Sequence, residues 1–193
     1  MRSSAFIPLP SLLPFALYLL PFAHNFPPMP QLELPHTPNC LVCGRSNPHG
    51  LHLALHVDPH TSTVTTHFTP THDHIGFEGI VHGGLLATVL DEAMVWAATW
   101  SGKRFCVCGE LVTRFKESAT VGRPITVTAR IDQARKKLIT TTAEVRRADD
   151  NTLLASATGK YVPLDDTRNR AFVATLVNEP QTLESATHLR AAL

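Results

Sequence analysis

An excess of charge of either sign is missing from this sequence: 17 Lys and Arg face 16 Asp and Glu, a formal net charge of +1 with neutral histidine. That balance removes the electrostatic case for a nucleic-acid binder, which ordinarily shows a basic excess or stripe. Cysteine is scarce, four in 193 residues, which is too few for a disulfide scaffold and makes a reducing compartment the default. Charged residues are only 17% of the chain, but hydrophobic residues reach 44%, enough to build a core. The length fits one ordinary domain with tails.

Charge is almost absent from the head, where Arg2 is the only formally charged residue before Glu33. Nine of the 15 prolines fall before residue 39, and Ala5 to Ala23 has the length of a signal-peptide core or a membrane anchor. Pro8, Pro10, Pro14 and Pro21 each remove a helix hydrogen bond, which argues against a stable spanning helix. Residues 1–37 therefore read as a Pro-rich apolar extension. It is a disordered segment, a weak targeting segment, or the product of a start codon placed too far upstream of Met29. Apart from this head, the expected location is cytoplasmic.

Beyond it the pattern turns regular. Leu51, Leu53, Leu55 and Val57 alternate with His52, Ala54, His56 and Asp58, the period of a half-buried strand, and residues 63–69 continue in β-favouring types. After a Gly-containing loop, LLATVLDEAMVWAATW runs sixteen residues without Gly or Pro and is apolar almost all round, which predicts a buried helix. FCVCGELVTRF, PITVTARI, LITTTAEVRR and LLASATGKYV then read as four strands, and their short connections predict an antiparallel meander. The predicted domain spans 38–164. The tail, 165–193, shows weak helical character around 171–177 and 183–189.

Two features on this frame carry chemistry. Asp91 lies in a helix that must bury most of its positions, where a carboxylate is retained by hydrogen bonds, an ion pair or function. Glu92 is set off from it by about 100°, so the two cannot face one cleft. The His82-Gly83-Gly84 step stands where loop becomes helix, and free N–H groups at a helix start can stabilise an oxyanion. The ordinary alternatives are a carboxylate in a structural ion pair and a plain glycine turn.

The stretch GIVHGGLLATVLDEAM, Gly79 to Met94, resembles the signature of the hotdog-fold acyl-CoA thioesterase superfamily, in its phenylacetyl-CoA-thioesterase-like branch, and CLVCGRSNPHGLHL, Cys40 to Leu53, resembles the Cys-rich opening of relatives. The resemblance implies an α+β hotdog fold, a curved antiparallel sheet wrapped around a long central helix. It implies a homodimer, often paired into a tetramer, with each active site at a subunit interface. By the same resemblance Asp91 is the catalytic carboxylate, and Gly83, flanked by His82 and Gly84, is the position whose N–H polarises the thioester carbonyl. Cys108 falls in a slot where many relatives place a Ser or Thr from the partner subunit, and a thiol is the weaker hydrogen-bond donor. His74 stands where relatives often carry an amide. The implied reaction is hydrolysis of an acyl-CoA to a free acid and CoA, with Asp91 as base or nucleophile and no metal or redox cofactor. A hotdog hydratase or dehydratase and a non-catalytic acyl-CoA or lipid binder are the rival readings.

Other constellations read as structural. Cys40-Leu-Val-Cys43 has the spacing of half a zinc site, but Cys106-Val-Cys108 is a poor complement, so packed free thiols are expected. Eight of the 11 histidines lie between residues 49 and 82 without diagnostic ligand spacing. Arg114, Lys116, Arg123, Arg135, Lys136 and Lys137 are the basic residues available to CoA phosphates.

Overall fold

The computed structural model describes residues 31–191. The readings made for residues 1–30 lie outside the described residues. The strands are β1 (Leu32–Glu33), β2 (Leu55–Val57), β3 (Val64–Phe68), β4 (Ile75–Phe77), β5 (Ile80–Val81), β6 (Cys106–Phe115), β7 (Ile125–Arg135), β8 (Leu138–Arg147) and β9 (Leu153–Pro163). The helices are α1 (Gly83–Gly102), α2 (Asp166–Ala174) and α3 (Leu183–Arg190). Seven strands form one antiparallel sheet in the order β1-β2-β3-β7-β8-β9-β6, and β4 and β5 form a separate small hairpin. With α1 packed against β3 and β6 to β9, this is the α+β hotdog arrangement.

The expected four-strand meander holds for β7, β8 and β9, whereas β6 pairs with β9 at the far edge of the sheet. Residues 116–124 are the reason. They carry the chain from one side of the sheet to the other, so that β7 pairs with β3 from Val64↔Ala129 to Phe68↔Ile125. A connection of that length is free to cross over instead of closing a hairpin.

β2 begins at Leu55, later than the alternation suggests. Leu51 and Leu53 donate their N–H groups to the carbonyls of Leu41 and Val42 at 2.8 Å each, and His52 adopts a left-handed φ of 52°. Residues 51–53 thereby serve the loop that carries Cys40 and Cys43, while Leu53 still buries its side chain.

The buried helix is present as expected: Val89, Leu90, Ala93, Met94 and Ala97 are wholly inaccessible and meet a sheet face that includes Val127, Val145 and Ala155. Side chains the size of Leu90 or Met94 each contribute about 1.5–3 kcal/mol when fully buried. The packed body exceeds residues 38–164 on both sides. β1 pairs with β2, and the Asn169 side-chain oxygen accepts the Phe105 N–H at 2.9 Å. Val173, Leu176 and Leu189 join the core, and His188 stacks on Trp100 at 4.1 Å between centroids. Among the described residues no helix is long and apolar enough to cross a membrane.

Candidate active site

The N-terminus of α1 is built by its cap. His82 is the N-cap residue in extended conformation, and its Nδ1 accepts the Gly84 N–H at 2.9 Å. The Gly84 amide is therefore engaged. Gly83 is the first helical residue, so its N–H has no acceptor within the helix. Next to it lies the ring of Phe115, whose Cζ is 3.2 Å from where a Gly83 Cβ would stand.

His74 braces this turn through its backbone and does not reach forward with its ring. Its carbonyl accepts the His82 N–H at 2.8 Å, and its Nδ1 accepts the Thr71 N–H at 2.8 Å. The ring packs edge-on against Phe68 at 5.2 Å, so it is committed to the loop that precedes the helix.

Asp91 is half-buried, and its Oδ1 accepts the Tyr161 hydroxyl at 2.7 Å. Tyr161 is fully buried, and desolvation followed by the Asp91 charge pushes its ionisation up, so it stays a neutral donor. Tyr161 is the Cα partner of Cys108 across β9 and β6. The register shifts between Cys108 and Glu110, leaving Gly109 as an extra residue, and such bulges re-aim the side chains beside them. The Cys108 thiol is pushed up to about 11, first by desolvation and then by hydrogen bonding and charge at Asp91. The slot that the resemblance assigns to a partner subunit thus lies beside Asp91 of the same chain.

Tyr161 is the site residue that sequence reasoning missed. It lay inside a correctly read strand, and its partner becomes apparent only with the β6–β9 register. Gly159 marked the place: a Cβ there would stand 2.6 Å from Tyr161 Cε2, so the strand must leave room for the ring to fold back over it.

Glu92 diverges from Asp91, as a step of about 100° requires. Half-buried, it turns toward the Cys40 loop. Its Oε1 accepts the Trp96 indole N–H at 2.9 Å and lies 3.6 Å from Cys40 Sγ. Burial, then the charge of Cys40, pushes the Glu92 carboxyl up to about 7. The Cys40 thiol is pulled down to about 5, chiefly by hydrogen bonding from Cys43 and the adjoining backbone N–H groups, while Cys43 is pushed up by its bond to Cys40. Neither Cys106 nor Cys108 joins this cluster.

The basic residues are dispersed. Arg114 lines a cavity of about 550 Å³ with Arg130 and Arg146, and Arg135, Lys136 and Lys137 line another of about 830 Å³. Arg123 is paired with Asp149. Asp91 lines neither cavity. It lies instead beside β6, a ten-residue edge strand with Val107, Val112 and Phe115 exposed.

Comparison with known proteins agrees with the fold. Residues 78–154 match the family model of the thioesterase superfamily, and no curated protein matches the chain. A solved thioesterase-superfamily protein is 27% identical, with a TM-score of 0.60, over 65% of this chain and 60% of that one. This chain thus spans less than two thirds of that relative's length. The Escherichia coli PaaI protein from the phenylacetic acid degradation operon is 20% identical over 60% of this chain and 81% of its own, with a TM-score of 0.55. An acyl-CoA hydrolase from Staphylococcus aureus, solved with butyryl coenzyme A, is 18% identical over 55% of this chain and 66% of its own, with a TM-score of 0.53. The last two are likenesses of fold.

Proposed function

We propose that this chain is an acyl-CoA thioesterase, releasing a free acid and CoA; the match of residues 78–154 to the thioesterase-superfamily model and the likeness of the fold to PaaI support that reading. The observation that carries this reading is the pairing, on one buried helix, of an unengaged Gly83 N–H and a carboxylate eight residues later that Tyr161 holds in place.

The thioester carbonyl oxygen points at the start of α1, where the Gly83 N–H and the helix dipole meet the charge that develops on it. His82 contributes by engaging the Gly84 N–H and fixing the turn. Asp91 takes a proton from a water that attacks the carbonyl carbon. The tetrahedral intermediate collapses, the C–S bond breaks, and the proton on Asp91 passes to the departing CoA sulfur. Tyr161 orients the carboxylate through Oδ1, leaving Oδ2 for the water. Cys108, protonated at neutral pH, lies beside this carboxylate as a weak donor. His74 supports the turn from behind.

Eight residues of helix rise about 12 Å, and the Asp91 side chain tilts back toward the N-terminus. That interval accommodates a carbonyl and one water in series, which favours the general-base role. The exposed β6 edge beside Asp91 is where a second copy of this chain docks, giving a homodimer that closes the acyl site; long unpaired apolar edges invite such pairing. Free thiols at Cys40, Cys43, Cys106 and Cys108 accord with a cytoplasmic location.

A hydratase reading requires a free histidine base, whereas His82 Nδ1 is occupied by the Gly84 N–H. The deciding experiment is CoA release from short, medium, long and aryl acyl-CoA substrates by wild type and Asp91→Asn. Turnover that falls by about 100-fold or more in the folded variant supports the proposal, as expected for a lost general base. Saturable acyl-CoA binding without CoA release would establish a binder instead.

A further inference from the structure

Cys40, Cys43 and Glu92 bring two thiol sulfurs and a carboxylate oxygen within 4.8 Å of one another, from a loop and a helix 49 or more residues apart in sequence. We propose that they form a binding site for a thiophilic divalent cation of the zinc class, one per chain, which staples the loop at residues 38–50 to the middle of α1. This site is separate from the thioesterase reading and stands or falls without it.

One donor pair already stands at tetrahedral spacing. Bonds of about 2.3 Å to sulfur and about 2.0–2.2 Å to a carboxylate oxygen place tetrahedral ligand atoms about 3.5–3.8 Å apart. Cys40 Sγ and Glu92 Oε1 are 3.6 Å apart. Two sulfurs and one oxygen suit zinc, whereas magnesium and calcium require oxygen sets.

The loop is shaped to present a thiolate. The N–H groups of Val42 and Cys43 point at Cys40 Sγ from 3.3 and 3.5 Å, and the Gly44 N–H bonds the Cys40 carbonyl at 3.1 Å. A Cβ on Gly44 would lie 2.4 Å from the Cys40 nitrogen, so this chain reversal admits only glycine. N–H groups directed at a sulfur favour its charged, metal-binding form.

Glu92 supplies an independent argument. Its carboxylate is half-buried and, among the described residues, has no Lys, Arg or His ion-pair partner. Burying a carboxylate is costly unless a cation or a full set of hydrogen bonds compensates it. The Trp96 indole donates to Oε1, the kind of outer bond that orients a ligating carboxylate. A metal ion supplies a positive charge beside this carboxyl, which a Cys40–Cys43 disulfide does not. Cys40 also lines a surface cavity of about 530 Å³ with Asn39, Phe172 and Thr175, so the Cys40 side of the cluster borders open space. Binding displaces the thiol protons to solvent, so uptake weakens as pH falls.

The test uses the full chain, reduced and stripped of metal, titrated with zinc and with cobalt(II) in the absence of any acyl-CoA. The expected result is one ion per chain by native mass spectrometry, a thiolate-to-cobalt charge-transfer band in the near ultraviolet, and a higher melting temperature with zinc. Cys43 is buried and its replacement risks unfolding, so the variants are Cys40→Ser and Glu92→Gln, each checked for a cooperative melt. Cys40→Ser abolishes the band, Glu92→Gln weakens zinc affinity about tenfold or more, and Cys108→Ser leaves both unchanged. The proposal is overturned if the reduced wild type takes up no stoichiometric metal, if uptake is indifferent to Cys40→Ser, or if Cys40 and Cys43 close a disulfide while zinc is present.

Discussion

The hydroxyl of Tyr161 donates to Oδ1 of Asp91 at 2.7 Å, so the carboxylate of the central helix is anchored to strand β9. The bond commits one carboxylate oxygen and aims the other. It also explains how a half-buried acid is retained in a helix whose other positions are nearly all apolar.

Tyr161→Phe removes that anchor and nothing else of comparable size. A hydrogen bond to a charged group contributes about 1.5–3 kcal/mol, so kcat on acyl-CoA is expected to fall about 10- to 100-fold. KM should be nearly unchanged, because in the proposed mechanism Tyr161 acts through Asp91 and not on the substrate. Steady-state kinetics read the split. A variant that loses affinity while keeping kcat would place Tyr161 in the binding pocket instead.

His82 tests the start of the helix. His82→Ala leaves the Gly84 N–H without its Nδ1 acceptor, which costs about 1 kcal/mol as a lost N-cap. In a body of this size that lowers the melting temperature by about 2–4 °C. His82→Asn, whose side-chain oxygen can accept the same N–H, should restore most of it. Equal melting temperatures for wild type and His82→Ala would contradict the capping role.

The route taken by Asp91 is open to isotope labelling. In the proposed mechanism the rise of about 12 Å from Gly83 to Asp91 along the helix leaves space for a water between carbonyl and carboxylate. A single turnover in ¹⁸O water, with enzyme in excess, should put the label in the released acid and none in the Asp91 peptide. Label in that peptide would establish a mixed anhydride and direct attack.

Much of this was legible beforehand, for reasons that can be named. The stretch from Leu85 to Trp100, free of Gly and Pro and apolar almost all round, specifies a buried helix, because no solvated face is available to it. His82 and Gly83 were legible because a helix start exposes N–H groups wherever it occurs. The position of β6 was not, since a nine-residue connection permits either neighbour and only burial of the helix against β7 to β9 decides. Tyr161 was hidden because its partner depends on that pairing. Glu92 was passed over because its meaning comes from Cys40, 52 residues earlier, and no local period links them.

Cys108 reports on the Asp91 charge. Its thiol is pushed from 9.0 up to about 11, first by desolvation and then by the carboxylate, so a raised value means less thiolate at any given pH below it. At about pH 8 a shift of that size leaves roughly 100-fold less thiolate than an ordinary cysteine carries, and alkylation follows the thiolate. Carbamidomethylation followed peptide by peptide should find Cys108 slow despite its exposure. Asp91→Asn removes the charge but not the desolvation, so the rate at Cys108 should rise part of the way toward that of a free cysteine peptide. A wild-type Cys108 that reacts as fast as the free peptide would show that the thiol does not share the environment of Asp91.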